Sequence, residues 1–352
     1  MPSDILAEQT LTAPQSEAIA VQHLRGAGVN LMKQAELKGI AERYAAFAID
    51  EARGSSEAYE KLAFAIAQSA DLLAFIATFP VDKRQPNLFL AAVRPACGIR
   101  RDVDELRQFA RASEAKIREV MLARTMQTNE PGRCAVLLPL LAELAPPLAL
   151  IEVGASAGLC LLMDHYGYDD GDARIDPAVS QDGRAPVFTC EMSGPAPFTR
   201  AIPRIAWRAG LDLNPIDVRS EPEAAWLETL VWPGQDGRVE RLRAAIGIAR
   251  RNPPNVVRGD LLTDLAQLAT TAPKNATVVV FVLPQQARRR FAATLKEIGV
   301  EWISNEPPGV FPSIASKAPP SPARGRFLMA RNDTPVAWSG PHGQSLDWFG
   351  VT

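Results

Sequence analysis

Leu148-Ala-Leu-Ile-Glu-Val-Gly-Ala-Ser-Ala-Gly-Leu-Cys-Leu-Leu-Met-Asp-His-Tyr166 is the stretch whose reading decides the fold. Leu148–Val153 is a short apolar run broken only by Glu152, the length of a buried strand. Gly154-x-Ser156-x-Gly158 then places small residues where a chain must turn sharply. Leu159–Tyr166 has helical character. Strand, glycine-rich turn and helix is the opening unit of a parallel α/β sheet. Further strands are expected at Ile205–Leu211, Val256–Val257, Thr277–Leu283, Trp302–Ile303, Phe327–Arg331 and Val336–Trp338. Helices are expected between them at Pro222–Leu230, Gly237–Ala249, Asp264–Thr270 and Gln285–Gly299. The last two strands are separated only by Asn332–Pro335, which reads as an antiparallel hairpin at the sheet edge. Pro307–Arg326 holds six prolines and reads as a loop.

Upstream of Pro146 the texture is helical. Apolar residues recur at helical spacing in Ile40–Ala52, Tyr59–Phe79 and Asp104–Thr125, and Ala135–Leu144 reads as a short helix kinked at Pro139. In Tyr59–Phe79 the stripe runs through Leu62, Ile66, Ser69, Leu73 and Ile76. The expected architecture is α/β: an N-terminal helical bundle over 1–145, then a sheet domain over 146–352 with an insertion at about 169–201.

Composition narrows the function classes. The 352 residues are 47% hydrophobic and 22% charged, with a formal net charge of −2, which suits a globular chain rather than a disordered or fibrous one. That charge offers no basic footprint for nucleic acid. Four scattered cysteines and three histidines argue against a metal centre, and the cysteines suit a reducing compartment. No secretory signal and no membrane-length apolar run is present, so a cytoplasmic location is expected.

The Gly154–Gly158 turn admits three readings. In the first it approaches a nucleotide-type ligand through Gly154, Ala155, Ser156 and Gly158. The third glycine of a dinucleotide fingerprint is replaced by Leu159 or its neighbours, which weakens NAD or FAD. An S-adenosylmethionine site tolerates the looser pattern, with Glu152 facing the methionine end. Asp212, closing the second strand, suits ribose hydroxyls; Asp260, with Leu261 beside it, suits an adenine amino group or a helix cap. In the second reading Ser156 is a hydrolase nucleophile, with His342 as base and Asp260 or Asp264 completing the set. The third is a tight turn without a ligand. Separately, Asn129, Glu130 and Arg133 lie in a Pro-Gly turn before the sheet and are candidate catalytic residues with His342. Arg133 has the planar fork that grips a carboxylate.

The chain resembles the DUF2332 family of bacterial proteins, which look like class I methyltransferases. The resemblance is carried by Thr128–Pro139, Ile151–Leu159, Gly210–Asp217, Trp226–Gln235, Trp302–Pro307 and Pro341-His-Gly343. It implies a Rossmann-like sheet in the order 3-2-1-4-5-7-6, S-adenosylmethionine as cofactor and a methyl acceptor of unknown identity. One departure bears on activity: Phe281-Val-Leu-Pro-Gln-Gln286 lacks the His and Tyr that relatives carry after the fourth strand. A binding protein without catalysis therefore stands as the alternative, and a serine hydrolase as the third.

Overall fold

The computed structural model describes residues 33–97, 103–127, 129–179, 185–197, 201–282, 295 and 297–350. Two compact units make up the chain, Met1–Thr125 and Met126–Thr352.

The first unit is helical. Helix α1 (residues 33–47) runs into a wider turn at Ala48–Ala52. It is followed by α2 (Glu57–Ala67), α3 (Ala70–Ala77), α4 (Pro86–Cys97), α5 (Val103–Ala112) and α6 (Glu114–Ala123). The sequence suggests one helix over Tyr59–Phe79, but Ser69 breaks it. Its Oγ accepts from the Leu72 amide, making Ser69 the N-cap of α3 rather than part of an apolar stripe. A second break at Ser113 divides the expected helix Asp104–Thr125 into α5 and α6. Pro86 starts α4, where its missing N–H costs nothing. Tyr44, Phe79 and Phe89 are fully buried, and Phe75 meets both phenylalanines edge to face.

The second unit opens with α7 (Cys134–Ala142), which the sequence groups with the bundle. Cys134–Leu141 is buried on every side, and these residues pack with Leu148, Leu150 and Phe281 of the sheet. A helix apolar all round belongs inside a core, so the division falls after Thr125 rather than at 145.

The strands are β1 (Leu148–Val153), β2 (Gly167–Asp169), β3 (Arg174–Ile175), β4 (Val187–Thr189), β5 (Glu191–Ser193), β6 (Ile205–Asp212), β7 (Val256–Arg258), β8 (Thr277–Val282), β9 (Glu301–Glu306), β10 (Phe327–Arg331), β11 (Thr334–Ser339) and β12 (Ser345–Trp348). The main sheet has the order β5-β12-β11-β10-β9-β8-β1-β6-β7. Its block β7-β6-β1-β8-β9 is parallel. These are the first five places of the expected order; the last two differ. From β9 the chain turns back through β10, β11 and β12 as an antiparallel meander, so no strand is inserted between neighbours in sequence.

The hairpin β10–β11 is also not the edge. Strand β12 pairs with β11, and β5, from the insertion, pairs parallel with β12. Neither strand has a sequence signal of its own: each is three or four residues long and held by its neighbour. The rest of the insertion forms a small sheet, β3-β2-β4. Helices α8 (Glu221–Leu230), α9 (Asp236–Arg251) and α10 (Leu265–Thr270) connect the parallel strands. Pro307–Arg326 is irregular except for a helical turn at Pro312–Ala315.

Alternation along the strands sorts the core into two faces. Leu148, Leu150, Phe281, Ile303 and Met329 face α7. Ile151, Val153, Val280, Trp302 and Leu328 face the other way. By that alternation Glu152 shares the face of Leu150, and Asn305 that of Ile303.

Candidate functional site

The carboxyl ends of β1 and β6 lie side by side, with Glu152 opposite Gly210 and Val153 opposite Leu211. The turn after β1 is fixed there by hydrogen bonds on every side. The Gly154 and Ala155 amides donate to the Leu211 carbonyl at 2.8 and 3.3 Å. The Ser156 amide donates to Asp212 Oδ2 at 2.8 Å, and Gly158 N to the Ala155 carbonyl at 2.6 Å. Asn129 clamps the turn from outside, donating to the Ala155 carbonyl at 2.8 Å and accepting from the Leu159 amide at 3.2 Å. The expected helix at Leu159–Tyr166 is a 3₁₀ run, Leu159–His165, interrupted at Leu162.

Ser156 stands at φ +51°, in the left-handed region that a non-glycine residue seldom occupies. Its Oγ is buried without a hydrogen-bond partner among the described residues. A serine nucleophile needs a base on that oxygen, and no described residue supplies one. His342 is instead engaged with Glu130 and Arg238. Gly158, at φ +68°, serves packing: a Cβ there would lie 2.8 Å from Val256 and 2.9 Å from Pro254.

Asp212 is buried and accepts two backbone amides, Ser156 at Oδ2 and Asn214 at Oδ1 (2.7 Å). Its first task is therefore to hold the turn against β6. Asp260 is exposed, and its Oδ1 accepts from the Leu262 amide at 2.8 Å. The helix expected from Leu261 begins at Leu265 with Asp264 as its N-cap, so the Asp260 contact is a turn bond and not the helix cap. Leu261 is half-buried beside it. Gly259 N donates to the Asp212 carbonyl at 3.0 Å and ties the ends of β6 and β7 together.

The Asn129–Arg133 turn and His342, distant from it in sequence, come together in this unit. Glu130 is buried, accepts from the Gly132 amide at 3.1 Å and pairs with Arg238 Nη2 of α9 at 2.5 Å. Burial alone would raise its pKa, but Arg238, His342, the Gly132 amide and Arg133 outweigh burial and lower it. Glu130 is thus a carboxylate. His342 Nδ1 lies 3.7 Å from Glu130 Oε2, and its Nε2 faces Arg238 Nη1 at 3.4 Å. A guanidinium can only donate, so Nε2 is the accepting nitrogen and Nδ1 carries the proton. Burial, with Arg238 beside it, brings the His342 pKa down to about 4. The ring is neutral near pH 7, and its lone pair is turned towards an arginine.

Arg133 is buried. Its Nε donates to the Pro341 carbonyl at 2.9 Å, and its guanidinium lies 5.5 Å over the Phe327 ring of β10. The loop that carries His342 is pressed backbone to backbone against the turn at Pro131–Arg133. A Cβ on Gly132 would meet the His342 carbonyl at 2.6 Å, and one on Gly343 (φ +77°) would run into the Gly132 carbonyl.

Glu152 is buried beneath the turn. Burial, Cys160 and Asp212 push its pKa well above the ordinary carboxylate value, against the pull of Arg133, and so favour the neutral acid. The Cys160 thiol donates to the Glu130 carbonyl at 3.4 Å and joins the two acids' surroundings.

Arg238 and Asn305 are the site residues that the sequence reading passes over. Arg238 sits in an arginine-rich helix with nothing to distinguish it, and Asn305 lies within Trp302–Pro307 without an assigned role. The segment after β8, where the missing His and Tyr were expected, begins at residue 283 and lies outside the described residues, as do Arg288–Arg290. Among the described residues no cluster of His, Cys, Asp and Glu could hold a metal ion, and no helix is long and apolar enough to cross a membrane.

Comparison with curated proteins and with solved structures gives no match. The family model described as "Uncharacterized protein conserved in bacteria (DUF2332)" matches residues 41–348, a span that contains the turn, Asp212 and the Glu130–Arg133–His342 cluster. With most of its length matched, the chain belongs to the DUF2332 family.

Proposed function

We propose that the second unit binds S-adenosylmethionine at the carboxyl ends of β1 and β6 and transfers its methyl group to an acceptor beside Arg133. The observation that carries this reading is the turn bonded to Asp212 at the point where the chain has built outward from β1 in both directions, to β6 and to β8. Ligands of open parallel sheets lie at such switch points, outside the carboxyl ends of the strands.

The hydrogen bonds of the turn separate one nucleotide class from another. A dinucleotide rests its pyrophosphate on free amides of the turn and helix start. Here the amides of Gly154, Ala155, Ser156, Gly158 and Leu159 are all engaged within the protein. That disfavours a phosphate cradle and suits a cofactor without phosphates. Each Asp212 oxygen retains a second lone pair for a ribose hydroxyl. Glu152, Gly154, Asp212 and Leu261 would hold the cofactor, whose sulfonium supplies the methyl group.

The protein's contribution would be alignment of donor and acceptor. His342 Nε2 faces Arg238 at 3.4 Å and its Nδ1 lies 3.7 Å from Glu130, so we assign it to positioning rather than to proton abstraction. The same ties favour a second reading, a nucleoside-binding protein that does no chemistry. Calorimetric titration with S-adenosylhomocysteine tests the cofactor assignment, and saturable binding is expected. A folded protein that binds neither S-adenosylhomocysteine nor S-adenosylmethionine would overturn it. Product analysis over an acceptor panel then separates enzyme from binder.

A further inference from the structure

We propose that Arg133, Asn305 and Glu152 form a binding site for a carboxylate group on the α7 side of the sheet. Buried polar groups almost always find hydrogen-bond partners, so a cluster that does not marks a place where something polar is received. Asn305 Nδ2 and Glu152 Oε2 meet that description here, near the buried Arg133.

Arg133 is 3% exposed, and among the described residues its guanidinium makes one hydrogen bond, from Nε to the Pro341 carbonyl. No acidic oxygen of the described residues lies within ion-pair distance of its fork: Glu130, the acid that best holds it protonated, is bonded to Arg238 and Gly132. Asn305, fully buried at the carboxyl end of β9, accepts from Ser339 Oγ at 2.6 Å through Oδ1, while its Nδ2 has no partner among the described residues. Glu152 Oε2 is likewise buried without a hydrogen bond.

These groups share one face and one end of the sheet. Glu152 alternates with Leu150 on β1, and Asn305 with Ile303 on β9. The Arg133 guanidinium lies over Phe327, which pairs with Ser339, the hydroxyl partner of Asn305. Arg133 and Glu152 are close enough for the arginine to act on the titration of the acid.

The chemistry of the set selects the ligand. The guanidinium fork and the amide NH₂ are donors, the buried Glu152 carboxyl can donate in its neutral form, and the fork carries the positive charge. The guanidinium, 5.5 Å over the Phe327 ring, is a planar fork, the shape that receives a carboxylate through two parallel N–H bonds. The half-exposed His342 ring, its side chain 26% accessible, stands at the outer side of this cluster beside Glu130.

A carboxylate here has two sources: the amino-acid end of the cofactor, or an acidic acceptor. The site deepens the reading above and rests on it only for the first source. The test uses the full chain. S-Adenosylhomocysteine is compared with methylthioadenosine, which keeps the nucleoside and lacks the carboxylate. Acetate, succinate and benzoate are titrated separately by ligand-detected NMR. Both series are repeated on Arg133→Lys and Asn305→Ala.

If the cofactor supplies the carboxylate, wild-type protein prefers S-adenosylhomocysteine to methylthioadenosine, and Arg133→Lys weakens only the former, by about tenfold or more. If the acceptor supplies it, the two nucleosides bind alike and a free acid binds saturably, with that binding lost in the variants. Should Arg133→Lys not fold, Asn305→Ala and the wild-type comparison carry the test. Free acids that bind while neither nucleoside does would keep this site and remove the cofactor reading. Nucleosides that bind alike with no saturable acid would overturn the site, as would acid or nucleoside binding indifferent to both substitutions.

Discussion

Replacing Asp212 by alanine should damage the fold before it damages any ligand contact. The carboxylate accepts the Ser156 amide at 2.8 Å and the Asn214 amide at 2.7 Å. Ser156 is buried, so its amide would lose a charge-assisted bond and have no water to replace it. An orphaned buried donor costs about 1–3 kcal/mol. Asn214 is exposed and its amide can turn to solvent, which adds about 0.5–1 kcal/mol at most. The sum is a loss of about 1.5–4 kcal/mol in unfolding free energy. Asparagine should cost less than alanine where its carbonyl oxygen keeps the buried Ser156 amide, because its NH₂, which cannot accept, then opposes only the solvent-exposed Asn214 amide. Ser156 at φ +51° adds to the effect, because that backbone persists only where its surroundings hold it. Urea unfolding of wild type, Asp212→Asn and Asp212→Ala reads these differences directly. S-Adenosylhomocysteine titration of whichever variant stays folded then reports on the ribose contact separately. An Asp212→Ala protein within about 0.5 kcal/mol of wild type would refute the account of how the turn is held.

Glu152→Gln should be tolerated and should gain stability relative to wild type as pH rises. The folded-state pKa of Glu152 is raised, so its contribution is fully present below the unfolded value near 4.5 and is lost as pH climbs towards the folded value; parallel unfolding curves at pH 5 and 8 check this. Glu130→Gln should behave oppositely, losing stability at neutral pH, because the folded pKa of Glu130 is lowered and its charge is paired with Arg238. Gly343→Ala should cost about 2 kcal/mol or more, measured by thermal melts, since its Cβ meets the Gly132 carbonyl at a φ of +77°; a neutral effect would mean the loop is not pressed on that turn. A fluorophosphonate probe should leave Ser156 unlabelled, and labelling abolished by Ser156→Ala would return the hydrolase reading.

Local sequence determined what depends on local physics. The apolar run Leu148–Val153, the glycine spacing after it and the alternation of strands with helical stretches made the parallel block legible, because strand and helix periods are written residue by residue. The same residues flagged Gly154–Gly158 and Asp212, and the Pro-Gly turn drew attention to Glu130 and Arg133. Tertiary structure decided what depends on partners far away in the chain. Strands β5 and β12 exist because a neighbouring strand completes their hydrogen bonds, not because Glu191–Ser193 or Ser345–Trp348 favours extension. The meander beyond β9 replaced the expected strand exchange for the same reason: pairing is a property of the sheet. Helix α7 changed sides because an all-apolar helix goes wherever a core receives it, and its pattern does not say which. Charge states followed burial: Glu130 and Glu152 are both glutamates near one arginine, yet Arg238, brought from α9, makes the first a carboxylate, while burial beside Cys160 and Asp212 favours the neutral acid in the second. Arg238 and Asn305 carried no mark in the sequence, since a side chain's partners are set by the fold that surrounds it and not by its own neighbours.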